Sequence, residues 1–475
     1  MRVLLAAAEV TPLAKTGGLA DVVGSLPIAL AERGVDARVV LPCYLGAIQR
    51  AEQPPRVIGS TFTPIHGVDV VATVLETTLG DGKVPAYLIQ NDDYYDRDQL
   101  FGYPDDFERF TFLCRAALQM LDLLQWRPDV IHCNDWHTGL IPVDLLLQRV
   151  GGESPRALFT IHNLGYQSPF PRERIGVPGF AWGSKGFQLL DMDDRLNLMK
   201  GGIVAADFVS TVSPQYAEEI RQPESGCSLD HLLRAREDRL VGILNGLDYD
   251  YWNPRTDPDI AQNYGPDSLQ GKLACKRALQ QENGLTPSDA PLLGIVSRLA
   301  GQKGFDLLAA VMREVLGLGA QFVLLGTGEP EYHRAFQKLK QELPGQMGVN
   351  LLFDPAMAKR IYAGLDMFLM PSRYEPCGLG QMISLAYGTI PVVRATGGLA
   401  DTVRERGPEA NGFVFFDYSA DSLVAAIQRA VEAYADRKRW QALVKRAFQS
   451  DFSWAYSAGQ YISLYERMLA AEPWV

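Results

Sequence analysis

Thr16-Gly17-Gly18-Leu19-Ala20-Asp21 stands near the start of the chain and returns letter for letter as Thr396-Gly397-Gly398-Leu399-Ala400-Asp401 near its end, with Val23 and Val403 extending the match. Each copy follows an apolar run of strand character, 3–10 or 390–393, and opens a helical pattern. A glycine-rich turn of this kind aims backbone N–H groups outward at the positive end of a helix dipole, where phosphate or carboxylate oxygens bind. Glycine leaves no Cβ in the ligand's way. The plain alternative is a strand-to-helix turn that binds nothing. Two identical copies favour two similar α/β units serving one ligand.

Working outward, strand-like runs at 3–8, 37–41, 130–133, 157–161, 208–212 and 240–244 alternate with helical stretches such as 106–124 and 139–149. A second series at 292–296, 321–325, 350–353, 367–370, 390–393 and 412–415 repeats the pattern. Strands alternating with helices predict a parallel sheet covered on both faces, so the fold class is α/β with doubly wound domains. Between the two series, 253–270 is rich in Pro, Asp, Asn and Gly and reads as an interdomain connection. The expected division is 1–250, a connection at 251–290, a second domain at 291–450, and a terminal helix at 451–475. Trp454, Tyr461, Leu464, Tyr465 and Met468 fall at helical spacing in that last segment and read as core-facing.

A chain of 475 residues, 47% of them hydrophobic and 21% charged, has globular composition and enough length for two large cores. The apolar start is cut by Glu9 and followed by Lys15, which favours a buried first strand over a signal peptide. No run nears the ~18 apolar residues of a membrane span. Six scattered cysteines without a CxxC pair suit a reducing compartment, and a cytoplasmic protein is expected. A formal net charge of −11 argues against non-specific binding to nucleic acid or acidic membranes. It also makes individual cations near the glycine loops informative.

Ligands of open α/β sheets bind beyond the carboxyl ends of the strands. Lys15 precedes the first loop; Asp135, Trp136 and His137 follow the run ending at Cys133; His162 and Asn163 follow Ile161; Asn245 follows Leu244. In the second half Arg298 and Lys303 follow Val296, and Glu375 lies just after 371–374. Three cations and a carboxylate on strand ends suggest an anion held by Lys15, Arg298 and Lys303, with Glu375 facing a hydroxylated group. A solvated surface charge is the competing reading of each one taken alone. The DxD strings Asp191/Asp193, Asp248/Asp250 and Asp257/Asp259 would have to face a diphosphate to bridge Mg²⁺. They read as chance occurrences of a common residue, and no metal is expected.

Several segments carry a stronger signal together: KTGGLADV from Lys15, NDWH from Asn134, HNLGYQ from His162, TVSPQYAEEI from Thr211, GILNGLDYDYWNP from Gly242, VSRLAGQKG from Val296, PSRYEPCGLGQ from Pro371 and YGTIPVVRATGGLADTV from Tyr387. In these segments the sequence resembles the family of bacterial glycogen synthases and plant starch synthases, retaining glycosyltransferases of the GT-B type. The resemblance implies two Rossmann-like domains facing a central cleft, the first on the acceptor side and the second on the nucleotide-sugar side, with the C-terminal helix packing back toward the first. It implies transfer of glucose from ADP-glucose to the nonreducing end of an α-1,4-glucan with retention of configuration, without metal or cofactor.

The resemblance also assigns residues. Lys15, Arg298 and Lys303 fall at the diphosphate, beside the backbone of Gly17, Gly18, Thr396, Gly397 and Gly398, with Asn245, Cys377, Gly378 and Leu379 as further donor contacts. Glu375 and His162 fall at the donor sugar and Asp135 at a further catalytic position. Asp21 and Tyr95 fall on the acceptor side; Trp136, like Tyr94, Phe101, Tyr103 and Tyr166, is an aromatic candidate to border the glucan, with core packing the stronger reading of each ring taken alone. Phe353 and Pro355 depart from the family, where many relatives carry Tyr and an acidic residue near the nucleotide base. Two other readings stay open, a glucan-binding or priming protein with weak elongation and a GT-B transferase that uses UDP-glucose.

Overall fold

The structure, a computed structural model, describes residues 1–149, 154–174, 181 and 183–474. It divides into two units, Met1–Gly246 with Trp454–Val475, and Leu247–Ser453.

The first unit is built on β1 (Arg2–Ala6), β2 (Asp36–Pro42), β3 (Arg56–Ile65), β4 (Val68–Leu79), β5 (Val84–Gln90), β6 (Val130–Asn134) and β7 (Arg156–Ile161). A small ribbon, β8 (Phe170–Pro171), β9 (Asp191–Met192) and β10 (Arg195–Leu196), precedes β11 (Phe208–Thr211) and β12 (Leu240–Gly242). Nine strands form one sheet in the order β12-β11-β7-β6-β1-β2-β5-β4-β3. From β12 to β5 the neighbours run parallel. Val3, Leu4, Leu5 and Ala6 are fully enclosed, as a strand covered on both faces requires. The chain leaves β1 for β2 on one side and later returns to β6 on the other, so the switch point lies between β1 and β6.

The antiparallel extension β3 to β5 is an element that the alternating strand-and-helix reading omits. Its signal is local all the same. The β-branched run Val68–Leu79 pairs back across His66 and Gly67, whose φ angles of 49° and 76° suit a two-residue hairpin turn.

The second unit carries β13 (Leu292–Val296), β14 (Gln321–Leu325), β15 (Met347–Asn350), β16 (Met367–Met370), β17 (Ile390–Arg394) and β18 (Phe413–Phe415). All neighbours are parallel in the order β15-β14-β13-β16-β17-β18, which puts the switch point between β13 and β16. The strand expected at 350–353 lies three residues earlier. Residues 347–350 pair with 322–325, whereas Phe353 is 83% exposed beyond the sheet. Asp354 then caps the helix Pro355–Gly364 by accepting the Met357 N–H at 2.9 Å, and Pro355 occupies its first turn, where no N–H is needed.

The stretch read as a connection, 251–290, belongs to the second unit instead. Its polar residues are satisfied internally. Buried Asp257 accepts the Tyr387 hydroxyl and pairs with Lys359, and the Tyr264 hydroxyl donates to the Tyr387 carbonyl at 2.9 Å. The helix Gln270–Glu282 packs on Pro355–Gly364.

The last helix, Trp454–Ala470, joins the first unit, with Tyr461, Leu464, Tyr465 and Met468 buried in its core and Trp454 packed against it. A buried polar chain fastens it to the sheet: the Tyr465 hydroxyl meets His132 Nδ1 at 2.8 Å, His132 Nε2 meets Thr160 Oγ1 at 2.6 Å, and Thr160 meets Ser210 Oγ at 2.6 Å. Burial, with His162 nearby, pushes the His132 pKa down to about 3, so the imidazole is neutral.

Candidate active site

At the β1/β6 switch point the first glycine loop is shaped by a residue that sequence reasoning did not single out. The buried carboxylate of Glu9 accepts the N–H groups of Thr16 and, at 3.1 Å, of Gly17. Part of the loop's anion cradle is therefore filled by an internal anion, and the expected donor contact through the Gly17 amide is spent on Glu9. The helix Gly18–Ala31 starts at Gly18, and its first amides lack intrahelical partners by construction. Lys15, half-exposed, places Nζ 2.6 Å from Asp21 Oδ1, which also accepts from Thr11 Oγ1 at 3.2 Å.

Beside this loop β6 ends at Asn134 and turns through Asp135, a non-glycine residue at φ 57°. That backbone costs on the order of 1–3 kcal/mol and is held by compensating bonds. Asp135 Oδ1 accepts the His162 amide at 2.8 Å, and the Asn163 amide adds to it. Burial outweighs these bonds, with Glu9 adding to it, and pushes the Asp135 pKa up to about 7. His162 Nε2 lies 2.9 Å from Asn134 Oδ1, and burial lowers its pKa to about 3. Asn245, beyond β12, is buried, and among the described residues its Oδ1 has no hydrogen-bond partner. Asn134, Asp135 and His162 are thus one cluster on adjacent strand ends.

Two acceptor-side expectations fail on burial. Tyr95 is fully enclosed, its hydroxyl donating to the Arg109 carbonyl at 2.7 Å and its ring edge-on to Tyr44. Trp136, also buried, stacks on His137 at 3.9 Å and meets Phe110 edge-on. Both rings complete the core under the site, and neither offers a face to a sugar.

At the β13/β16 switch point of the second unit, Lys303 Nζ straddles the carboxylate of Glu375, 2.9 Å from Oε1 and 2.7 Å from Oε2. Buried Ser372 donates to Oε2 at 3.0 Å, a contact whose only sequence signal is a hydroxyl three residues before the carboxylate. Lys303, Ser372, Glu375, Gly378 and Leu379 line a cavity of about 140 Å³ with Ser297 and Tyr362. Arg298 follows β13 and is exposed.

The second TGGL string has a different task from the first. A Cβ on Gly397 would collide with the Glu375 carbonyl oxygen, and one on Gly398 with that of Cys377. Gly397 also adopts φ 44°. The Gly398 amide, expected to face the donor, is directed at the carbonyl oxygens of Glu375 and Pro376, 3.2 Å away. Gln381, fully buried, clamps the same loops by donating to the Cys377 and Gly378 carbonyls at 3.0 and 2.9 Å and to Thr402 Oγ1 at 3.2 Å. These glycines let one backbone seat against another, and the segment they seat carries Glu375.

The DxD strings have structural partners: Asp191 pairs with Arg172, Asp248 accepts the amides of Asp250 and Tyr251, and Asp257 and Asp259 pair with Lys359. Among the described residues no group of three or more His, Cys, Asp or Glu side chains is placed to hold a metal ion. No described helix is long and apolar enough to cross a membrane.

Two doubly wound sheets, the first with an antiparallel extension, carry ligand-type residues at their switch points, the layout of the GT-B class of glycosyltransferase, and comparison with known proteins agrees. A family described as starch synthase catalytic domain matches residues 2–235, and one described as glycosyl transferases group 1 matches 276–446. The chain is 46% identical to a glycogen synthase of Geotalea uraniireducens, with 99% of each covered, and 45% identical to one of Moorella thermoacetica, covering 99% of this chain and 97% of the relative. It superposes with a TM-score of 0.88 on the catalytic domain of starch synthase IV from Arabidopsis thaliana bound to ADP and acarbose, at 35% identity and 99% coverage of each. Sucrose-phosphate synthase from Thermosynechococcus elongatus, at 22% identity and a TM-score of 0.63, shares the fold. The chain belongs to the glycogen and starch synthase family and is a glycosyltransferase.

Proposed function

We propose that the protein lengthens an α-1,4-glucan by moving glucose from ADP-glucose to its nonreducing end with retention of configuration. The observation that carries this reading is the Lys303–Glu375 pair. Departure of the nucleoside diphosphate builds negative charge on phosphate and leaves positive charge on the glucose ring. A fixed ammonium and a fixed carboxylate at one strand-end site match those two charges, and preorganised groups of this kind stabilise a transition state without rearrangement. The Arabidopsis relative's bound ADP supports adenine as the donor base.

Arg298, Lys303 and Lys15 are each assigned to the diphosphate. His162 and Asn245 are assigned to the sugar, and Asn245 Oδ1, which has no partner among the described residues, is an acceptor for such a contact. These cations let the diphosphate leave without a metal ion. Glu375 is assigned to stabilising the positive charge on the glucose ring, with Lys303 and Ser372 fixing both of its oxygens.

Lys303→Ala, assayed at saturating ADP-glucose, is expected to lower turnover ~10²- to 10³-fold, the usual cost of one preorganised charge-stabilising contact. Turnover within a factor of two of the parent would remove Lys303 from the role. A glucosyl adduct trapped on Glu375 would replace direct transfer with a covalent route.

A further inference from the structure

We infer that Asn134 is a positioning residue that locks His162 in its Nε2–H tautomer, leaving Nδ1 as a lone-pair acceptor for a hydroxyl of the donor sugar. The Asn134 amide can be oriented in only one way. Its Nδ2 lies 3.1 Å from the Ala6 carbonyl oxygen and 3.2 Å from the His132 carbonyl oxygen, so both N–H bonds are spent on acceptors of β1 and β6. The flipped amide would set its oxygen against two carbonyl oxygens and leave those acceptors unserved. Oδ1 therefore faces His162 Nε2 at 2.9 Å, and an acceptor at that distance requires the proton on Nε2.

The surroundings keep this arrangement rigid. Asn134 is enclosed at the end of β6, paired in register with Thr160 of β7. The next residue, Asp135, holds the His162 backbone amide, so consecutive residues fix the main chain and the ring of the same histidine. Burial keeps the imidazole neutral, which leaves a choice between two neutral tautomers. Among the described residues Nδ1 has no hydrogen-bond partner, and it is not among the enclosed unpaired atoms, in contrast to both ring nitrogens of His137. A hydroxyl can donate to a bare Nδ1, whereas the other tautomer would present an N–H there and reverse the polarity of the contact. The acceptor role of Nδ1 rests on the reading of His162 as a sugar contact; the tautomer itself does not.

Long-range proton–nitrogen correlation spectra of the full-length protein with ¹⁵N-labelled histidine report the tautomer directly, with His162 assigned by the signals lost in His162→Gln. The wild type is expected to show the Nε2–H form from pH 6 to 8. Asn134→Ala is expected to mix the tautomers and to lower kcat on saturating ADP-glucose ~10- to 100-fold, the scale seen when metal-ligating histidines lose their orienting partners. An Nδ1–H form in the wild type, a measurement that needs no variant to fold, would overturn the inference and leave the assignment of His162 standing. The Nε2–H form with unchanged kcat in both Asn134→Ala and His162→Gln would overturn the acceptor role of Nδ1 together with that assignment.

Discussion

At the scale of single residues, Asp135 is the group whose environment has the clearest measurable consequence. Its carboxyl is raised to about 7 in the folded protein, from an ordinary value of 3.8, chiefly by burial. Between those limits the folded protein holds a proton that the unfolded chain has released, so this group's contribution to stability falls as pH rises from about 4 to about 7. Asp135→Asn keeps an oxygen toward the His162 and Asn163 amides and does not titrate. Its stability relative to the wild type is therefore expected to improve between pH 5 and pH 8, by up to a few kcal/mol at ~1.4 kcal/mol per pH unit. Urea unfolding at the two pH values checks this, and a relative stability that falls with pH would contradict it. The placement of polar residues at strand ends was legible because a lone charge or amide there stands out against apolar neighbours. Tyr95 and Trp136 were misread because ring burial is decided by distant parts of the chain, Tyr44 in one case and Phe110 in the other. Glu9 was visible only as an interruption of an apolar run, and its bonds to the Thr16 and Gly17 amides need the folded turn to exist.

At the scale of elements, the two TGGLAD strings show how far a motif carries. Both follow a strand and start a helix, as the glycine-rich turn predicts. Gly17 is exposed with open space around it, whereas Gly397 and Gly398 are buried against the backbone of the segment 375–377. The string fixes the turn, and the contacting chain decides what the glycines are for. The strand at 347–350 was displaced in the sequence reading because Leu351, Leu352 and Phe353 are apolar yet lie outside the ladder. The terminal helix, read from periodicity alone as core-facing, gains an anchor that periodicity cannot reveal, the Tyr465–His132–Thr160–Ser210 chain. Tyr465→Phe leaves His132 Nδ1 buried without a partner and is expected to cost about 1–3 kcal/mol. A chemical-denaturation midpoint unchanged from the wild type would show that the chain is incidental to the helix's attachment.

At the scale of the whole molecule, each unit repeats one solution: a run of parallel strands whose order reverses beside its first strand, with charged and amide side chains placed at the reversal. That architecture follows from the alternation of short apolar strands with helices. The division between the units did not, because the polar, proline-rich composition of 251–290 resembles a linker while Asp257, Tyr264 and the helix Gln270–Glu282 are anchored inside the second unit. Family membership makes the protein a glycosyltransferase of the glycogen and starch synthase family, and the charge arrangement at Lys303 and Glu375 supports the donor chemistry proposed for it. The most direct test supplies ADP-glucose or UDP-glucose, with EDTA present, to a maltooligosaccharide labelled at its reducing end, and resolves the products by length and linkage. The account predicts a ladder growing by single α-1,4-linked glucose units at the unlabelled end with ADP-glucose. Release of ADP without longer chains, or growth only with UDP-glucose or only when a divalent cation is restored, would contradict it.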